Sequence, residues 1–568
     1  MAGLFRNDRK AGAFVALAAL LAAIAGMFVA STIQASNGVT VSEVHFRGSS
    51  GARMRGLLFR PQGATREKPA PAILAVHGYL NSAEMQGNFA TEYARRGYVV
   101  LAPDQRGHGG SAPVTFADGF GGPDALAYLR SLPFVDRGNI GLEGHSMGGW
   151  AVLSAAKAYP DGYRSLILEG SSVGAPFAPE GTRAFPKNLL VVYGTRDEFG
   201  GFMWGPEAPL ATGSVQKLRD LFGSTGAVVP GRLYGRIADG SARMLLTPPV
   251  THAWLHESSA GITPALEWFG KTLKGARPLP AQDQIWPWRE AGDCIALLAI
   301  PLLIAGLLTI SGSGIAGNIR PAQDPLAAVP SLRRKAELAV IAILPALLFI
   351  PACRAVEVVL GQNALFRQTF TNQFAGWALL CAVLSALALR RKGASLELGK
   401  LAKALPVALF ALLPAYVLVA AGDKLLHVNP SWWFITIRPL TPERMRDFFL
   451  YAPFFVASSL SSLRLVQVVS PLDQGSLTGS AARAMAALAG GFVLFLAAQY
   501  GVLALTGHLL TPTEGLRTIS AIGFAVFLAF VGLFGAVSQR QFGSVVPGAL
   551  VSGLFVGWVL VATQPIGA

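Results

Sequence analysis

The sequence predicts two structural classes in one chain: an α/β domain with a doubly wound, mostly parallel sheet, and an all-α bundle of transmembrane helices. Three observations support this prediction. In residues 40–275, short β-rich runs alternate with helical patterns, as in parallel sheets with helical crossovers. After residue 293, most of the chain consists of apolar runs long enough to cross a bilayer. Charged residues make up only 14% of the chain, against roughly 25% in soluble proteins.

The first element is an uncharged apolar run at residues 11–31, which follows Arg6, Arg9 and Lys10. About 20 apolar residues span a bilayer, whereas the apolar core of a cleaved signal peptide is shorter. No clear small-x-small cleavage site follows this run. We therefore predict an uncleaved signal anchor in residues 1–35, with a cleaved signal peptide as the competing interpretation.

The α/β domain is predicted to cover residues 36–275. Its β-rich runs include residues 73–76, 98–101, 166–168 and 189–192. The domain has no cysteine, so we expect neither a disulfide nor a thiolate metal site in it. The sequence also has no phosphate-cradling loop and no metal-ligand cluster, and we predict no cofactor and no metal. A segment rich in Pro and Trp, residues 276–292, is predicted to be a linker.

The C-terminal part, residues 293–568, is predicted to be a polytopic helical membrane domain. It contains eight apolar spans, at residues 293–311, 336–353, 374–390, 404–421, 447–463, 484–506, 517–537 and 546–563. With the anchor, the predicted total is nine.

The net charge of +15 could indicate a nucleic-acid partner, but the sequence has no basic run with interleaved aromatic residues. We therefore expect no nucleic acid and attribute the excess to cytoplasmic loops. A cytoplasmic N-terminus places 15 Lys and Arg residues on the cytoplasmic side and seven in short loops opposite. This bias predicts that the α/β domain lies outside the cytoplasm. We therefore expect an integral protein of a bacterial inner or cell membrane, in contact with membrane lipids.

The strongest chemical motif is GHSMG at residues 144–148. It follows the β-rich run 140–143 and precedes a helical pattern. The G-x-S-x-G pattern is typical of a tight turn from strand to helix, in which small flanking residues allow the serine hydroxyl to project. The motif therefore predicts Ser146 as a nucleophile.

The groups that stabilise the oxyanion are expected on two loops. His77 and Gly78 follow an apolar strand, so the backbone N–H of Tyr79 would point into an oxyanion hole. The second donor would be the N–H of Met147, just after the nucleophile. We expect the His77 ring to support its loop.

An acid and a base are predicted near the ends of two later strands. Asp197 follows an apolar strand, where a carboxylate can hold a catalytic imidazole in the right tautomer. Glu169 is the alternative acid, and Glu198 is a weaker candidate. His252 is the predicted base because it lies nearest the end of its strand, and His256 is its alternative.

These motifs resemble the α/β-hydrolase superfamily, especially its esterase, lipase and serine-aminopeptidase-like members. The matching segments are HGYLNS at 77–82, ARRGYVVLAPDQRGHGGS at 94–111, GHSMGG at 144–149, GTRD at 194–197 and the region of His252. The resemblance covers less than half of the chain. It implies a triad of Ser146, Asp197 and His252.

The implied function is a serine hydrolase that cleaves carboxylic esters through an acyl-enzyme. Its membrane setting favours small-molecule or lipid-like esters with apolar acyl groups. Three alternatives stay open: an acyltransferase acting on lipid or envelope glycan, a peptidase, and a transporter or scaffold that carries an inactive hydrolase domain.

A long insertion lies between Asp197 and His252. It is interpreted either as a surface insertion or as a flap beside the active site. In the second interpretation, Phe202, Met203 and Trp204 line an acyl pocket or contact the bilayer.

Overall fold

In the residues that the computed structural model describes, an eight-stranded sheet and nine long apolar helices form its two parts. It describes residues 2–49, 51–114, 116–174, 177–205, 212–316 and 331–567. We refer to residues 39–273 as the sheet domain. The helical domain consists of the N-terminal helix together with the residues from Trp286 onward.

The sheet is mostly parallel, as predicted. Its strands are β1 (Val39–Arg47), β2 (Arg53–Pro61), β3 (Ala70–Val76), β4 (Val99–Pro103), β5 (Val135–His145), β6 (Ser165–Glu169), β7 (Leu189–Val192) and β8 (Arg243–Leu246). Their order is β1-β2-β4-β3-β5-β6-β7-β8. Strand β2 runs antiparallel to both of its neighbours, and every other neighbouring pair is parallel.

Helices cover both faces of this sheet, so its central strands are apolar throughout. The helices are α2 (Gly87–Arg95), α3 (Gly122–Ser131), α4 (Met147–Ala158), α5 (Gly200–Met203), α6 (Gln216–Phe222), α7 (His252–His256) and α8 (Ser259–Thr272). Successive residues of β3 enter different cores. Ile73 shares a core with Phe89 of α2 and Phe269 of α8, whereas Leu74 shares a core with Leu153 of α4.

The helical domain contains nine helices that are long and apolar enough to cross a membrane, counted over the described residues. They are α1 (Ala2–Gln34), α9 (Trp286–Ala316), α10 (Ser331–Val359), α11 (Thr369–Arg391), α12 (Leu401–Ala421), α13 (Pro442–Val469), α14 (Leu477–Thr506), α15 (Gly515–Phe542) and α16 (Val546–Thr563). This agrees with the nine predicted spans. Helix α9 begins within the segment 276–292 that the sequence predicts to be a linker.

Small residues bring α1 and α9 into close contact. A Cβ atom added to Gly26 would lie 2.5 Å from the carbonyl oxygen of Gly292, and one added to Gly292 would lie 2.5 Å from that of Gly26. Ala30 and Ala296 flank this contact. Close packing of this kind is typical of helices that associate in membranes. Helix α1 is therefore an integral part of the bundle.

One end of the bundle contacts the sheet domain. Arg53 pairs with Glu443 at 3.0 Å, and the backbone N–H of Ile566 donates to the carbonyl of Gly107 at 2.9 Å. At the opposite end, loops contact one another through Arg464 and Ser395, and through Ser544 and Glu397. The sequence predicts the same division of the loops, because successive spans cross in opposite directions.

A buried ionic cluster centred on Arg55 of β2 joins the two domains. Its guanidinium contacts Glu43 at 2.7 Å, Glu84 at 2.6 Å and Asp104 at 2.9 Å. Asp423 of the helical domain lies 3.8 Å away. A buried cation surrounded by carboxylates is strongly held, because removal of either sign leaves uncompensated charge.

Candidate active site

Ser146 occupies the sharp turn between β5 and α4. Its backbone has φ 54° and ψ −122°, a conformation that costs a non-glycine residue about 1–3 kcal/mol. Two hydrogen bonds hold the turn: Ser146 N–H donates to Glu169 O at 2.8 Å, and Gly149 N–H donates to Ser146 O at 2.9 Å. Strain at one serine beside a cavity is typical of a nucleophile elbow.

Close backbone contacts explain the two glycines that flank this serine. A Cβ atom on Gly148 would lie 2.0 Å from the carbonyl oxygen of Val76. One on Gly144 would lie 2.3 Å from the backbone of Gly148. Any side chain would therefore push the start of α4 away from β3 and β5.

His252 and Asp197 form a buried hydrogen-bonded pair. The Nδ1–H of His252, the first residue of α7, donates to Asp197 Oδ2 at 2.7 Å. The other oxygen of Asp197 accepts from Phe199 N–H at 2.8 Å and from the Tyr193 hydroxyl at 3.1 Å. Burial lowers the pKa of His252, but the charge and hydrogen bond of Asp197, with a further contribution from Glu198, outweigh burial and raise this pKa above its ordinary value.

Glu198 connects this pair to the helical domain. It accepts the backbone N–H of His252 at 2.7 Å and the hydroxyl of Tyr500, in α14, at 2.8 Å. Burial, followed by the nearby charge of Asp197, raises the pKa of Glu198. From the sequence, Glu198 is only a weaker candidate for the catalytic acid, and Tyr500 has no predicted role. No local pattern relates residues 302 positions apart.

The alternative acid and base have other surroundings. His256 donates from Nε2 to Gln86 Oε1 at 2.8 Å, and burial lowers the pKa of His256 to about 3. Neither carboxyl oxygen of Glu169 has a hydrogen-bond partner among the described residues, and burial raises the pKa of Glu169 well above its usual range. The geometry thus brings Asp197 to His252, and it gives His256 no carboxylate partner.

Two further histidines support the loops around the site. His145 donates from Nε2 to His252 O at 3.2 Å, and the sequence gave no indication of this contact. His77 donates from Nδ1 to Gly78 O at 2.7 Å and accepts from Gln105 N–H at 3.0 Å. Burial lowers the pKa of both rings, so they are neutral. The contacts of His77 agree with its predicted supporting role.

The two predicted oxyanion donors lie in the same cavity as the serine. Tyr79 and Met147 both line it, together with Ser146 and His252. Met147 is the first residue of α4, so its N–H is one of those that a helix leaves without an internal acceptor.

This cavity lies between the two domains and is mostly apolar. Its volume is about 250 Å³. The sheet domain contributes Phe120, Trp150, Phe177, Phe199, Phe202 and Met203. The helical domain contributes Phe370, Trp433, Phe434, Leu516 and Ile519. Of the three residues predicted to line an acyl pocket or contact the bilayer, Phe202 and Met203 line this cavity, whereas Trp204 is buried with its ring 6.2 Å from that of Tyr193.

No metal site accompanies the serine in the part of the chain that the structure describes. No group of three or more His, Cys, Asp or Glu side chains is placed there to hold an ion.

Part of the sheet domain matches a known protein family. Residues 67–194 match the family described as serine aminopeptidase, S33, an α/β-hydrolase family. The sheet domain has the fold of the α/β-hydrolases. The match includes Ser146 and ends before Asp197 and His252, so the positions of those two residues rest on the geometry above.

Two curated relatives resemble part of this chain. A monoacylglycerol lipase of Mycolicibacterium smegmatis is 29% identical over 140 residues, which cover 24% of this chain and 49% of the lipase. Thiohydrolase aneE of Aspergillus aculeatus is 32% identical over 127 residues, which cover 21% of this chain and 37% of that protein. The chain therefore spans half or less of the length of these relatives.

Solved structures also resemble part of this chain. The Pyrococcus furiosus esterase Pf2001 has a TM-score of 0.30 and 15% identity, covering 42% of this chain and 94% of the esterase. A thioesterase domain from the curacin biosynthetic pathway has a TM-score of 0.27 and 16% identity, covering 40% of this chain and 98% of that domain.

Proposed function

We propose that the chain is a membrane-embedded serine hydrolase that cleaves carboxylic esters with apolar acyl groups. One observation carries the proposal. Ser146, on a strained turn, shares an apolar cavity with a histidine whose Nδ1–H is held by Asp197 at 2.7 Å. The likeness to a lipase supports the same reaction class.

In the proposed reaction, Ser146 Oγ attacks the ester carbonyl while His252 Nε2 takes its proton. The N–H groups of Tyr79 and Met147 stabilise the negative oxygen that forms. His252 then gives the proton to the departing alcohol, leaving an acyl group on Ser146. Water, deprotonated by His252, releases the acid.

The cavity lining favours an ester over a peptide with a free amino terminus. Such a peptide needs a negative charge to bind its ammonium group. Glu257 is the acidic residue in the lining, and burial, followed by the charge of Glu290, raises the pKa of Glu257 well above its usual range. A neutral Glu257 offers no such charge, whereas the aromatic side chains suit an acyl chain.

The proposal is tested with a fluorophosphonate probe and p-nitrophenyl esters on the detergent-purified full chain. We expect wild-type protein to be labelled and to turn over esters, and Ser146→Ala to do neither. The control is Ser154→Ala in α4, whose hydroxyl donates to Trp150 O at 2.9 Å. Folded wild-type protein without label would contradict the proposal. Transfer of the acyl group to an added alcohol in preference to water would identify an acyltransferase.

We further propose that the nine apolar helices span the membrane with the sheet domain outside the cytoplasm. The support is the charge bias and the position of the loops that contact the sheet domain. In intact cells, Arg236→Cys should react with an impermeant maleimide. Arg391→Cys, at the opposite end of the bundle, should react only after permeabilisation. The reverse pattern would invert the orientation.

A further inference from the structure

A narrow crevice adjoins the active-site cavity on the side of the helical domain. Its volume is about 30 Å³, and it shares Leu80 and Phe434 with the larger cavity. Phe374 of α11, Phe524 of α15 and Leu560 of α16 contribute to its walls. The crevice, a space between three apolar helices, therefore lies next to the active-site cavity, and Phe434 belongs to the walls of both.

The crevice is lined mainly by apolar atoms. Ser520 and Thr563 belong to its walls, but their hydroxyls donate to carbonyls of their own helices, at 2.8 and 2.9 Å. The hydroxyl of Thr436 donates to the sulfur of Met85 at 3.2 Å. These side chains therefore present their carbon atoms to the space, and Gln564 adds an amide. Such a lining suits an alkyl chain.

The size of the main cavity limits the chain that it can hold. With a volume of about 250 Å³, it encloses an acyl chain of limited length beside Ser146. A longer acyl chain, with its carbonyl at Ser146, needs additional space. The adjoining crevice offers apolar space next to this cavity, and Phe434 lies in the wall common to both, which we call the junction.

We propose that the distal part of a long, unbranched acyl chain binds in this crevice, so that the helical domain sets the chain-length preference. This inference rests on the proposed ester hydrolysis. It assigns selectivity to α11, α15 and α16, and it leaves bond cleavage with the sheet domain. Each methylene buried there strengthens binding about fourfold.

Gly523→Leu tests the proposal, because Gly523 lines the crevice in α15. A Cβ atom there would lie 3.6 Å from Phe527 and 3.8 Å from Phe434, which are ordinary contacts. The outer atoms of leucine would fill the crevice. The matched control is Gly501→Leu in α14, where no atom lies within 4 Å of an added Cβ.

The measured quantity is the ratio of kcat/KM for p-nitrophenyl hexadecanoate to that for the butanoate ester. We expect Gly523→Leu to lower this ratio at least tenfold and Gly501→Leu to leave it unchanged. Phe434→Ala, which widens the junction, should raise the ratio. The hexadecanoate ester in micelles and a long-chain diacylglycerol in vesicles distinguish a free ester from a bilayer lipid as the source of the chain.

An unchanged ratio in both Gly523→Leu and Phe434→Ala would overturn the crevice assignment. Fluorophosphonate labelling of Ser146 separates this failure from failure of the proposed function. Labelled variants with an unchanged ratio contradict the crevice alone, whereas wild-type protein without label contradicts the hydrolase.

Discussion

The two domains contribute to the candidate site in different ways. The sheet domain supplies each group that the proposed reaction uses, on turns at the carboxyl ends of its strands. The helical domain supplies no proposed catalytic group. It supplies aromatic and aliphatic walls, such as Phe370 and Phe434, and the Tyr500 hydroxyl that contacts Glu198. The comparison indicates that reactivity belongs to the sheet domain, and that enclosure and selectivity arise where the domains meet.

The largest expected effect concerns the acid of the sheet domain. Asp197→Asn removes the charge that holds His252 Nδ1–H, and we expect kcat for a short-chain ester to fall about 10⁴-fold. Glu169→Gln is the matched control and should retain activity, because burial keeps that carboxyl neutral. A larger loss in Glu169→Gln than in Asp197→Asn would exchange the roles of the two acids.

The next effect concerns the contact between the domains. Arg55→Met leaves the buried carboxylates of Glu84 and Asp104 without their nearest cation, with Arg438 3.9 Å from Glu84, and we expect the free energy of unfolding to fall by about 3–5 kcal/mol. Arg53→Met is the control, because its pair with Glu443 is half exposed and contributes about 0–1 kcal/mol. Denaturation in detergent measures both. Equal losses would show that the buried cluster does not hold the domains together.

The pH dependence of wild-type activity tests the electrostatics of His252. Below its pKa this ring carries a proton and cannot accept another from Ser146, so kcat/KM should rise as the pH increases through that pKa. Because Asp197 and Glu198 raise the pKa of His252, the midpoint should lie above about 6.5. A midpoint clearly below 6.5 would show that burial dominates.

Glu198→Gln should reduce kcat/KM about tenfold, the effect of roughly 1.4 kcal/mol from a weakened charge-assisted hydrogen bond to His252 N–H. The substitution should also shift the acid limb, the rise of kcat/KM with pH, to lower pH, because the charge of Glu198 raises the pKa of His252. Activity against pH measures both effects. An unmoved limb would mean that Glu198 acts only by packing.

The smallest effect is expected from the helical domain. Tyr500→Phe removes one donor to Glu198, and since that hydrogen bond lowers the pKa of Glu198, its loss makes the carboxyl less charged. We expect a two- to fivefold loss of kcat/KM, about 0.5–1 kcal/mol, with a small shift of the acid limb to lower pH. The control is Thr506→Val, whose hydroxyl contacts only the backbone of Val502 in α14 and of His508 just after it, among the described residues. Equal effects of the two variants would remove Tyr500 from the site.

Much of this architecture could be predicted from local patterns in the sequence. The apolar runs predict the nine long helices found among the described residues, because the length of a span depends on bilayer thickness and not on the helices packed beside it. The glycines around Ser146 predict the tight turn, because the backbone at Gly144 and Gly148 lies too close to other backbone atoms to leave room for a side chain. The alternation of β-rich and helical patterns predicts the mostly parallel sheet, because strands that helices cover on both faces are apolar throughout.

The tertiary structure alone decided which groups meet. Glu169 and Asp197 both follow strands, and only the path of the chain brings Asp197 to His252. The start of α9 at Trp286 depends on contacts of residues 285 and 286 with Glu92, whose carboxylate accepts both N–H groups. The cavity walls come from residues hundreds of positions apart. Hydropathy and periodicity describe how one element is buried, whereas a site between two domains depends on distances that no local pattern contains.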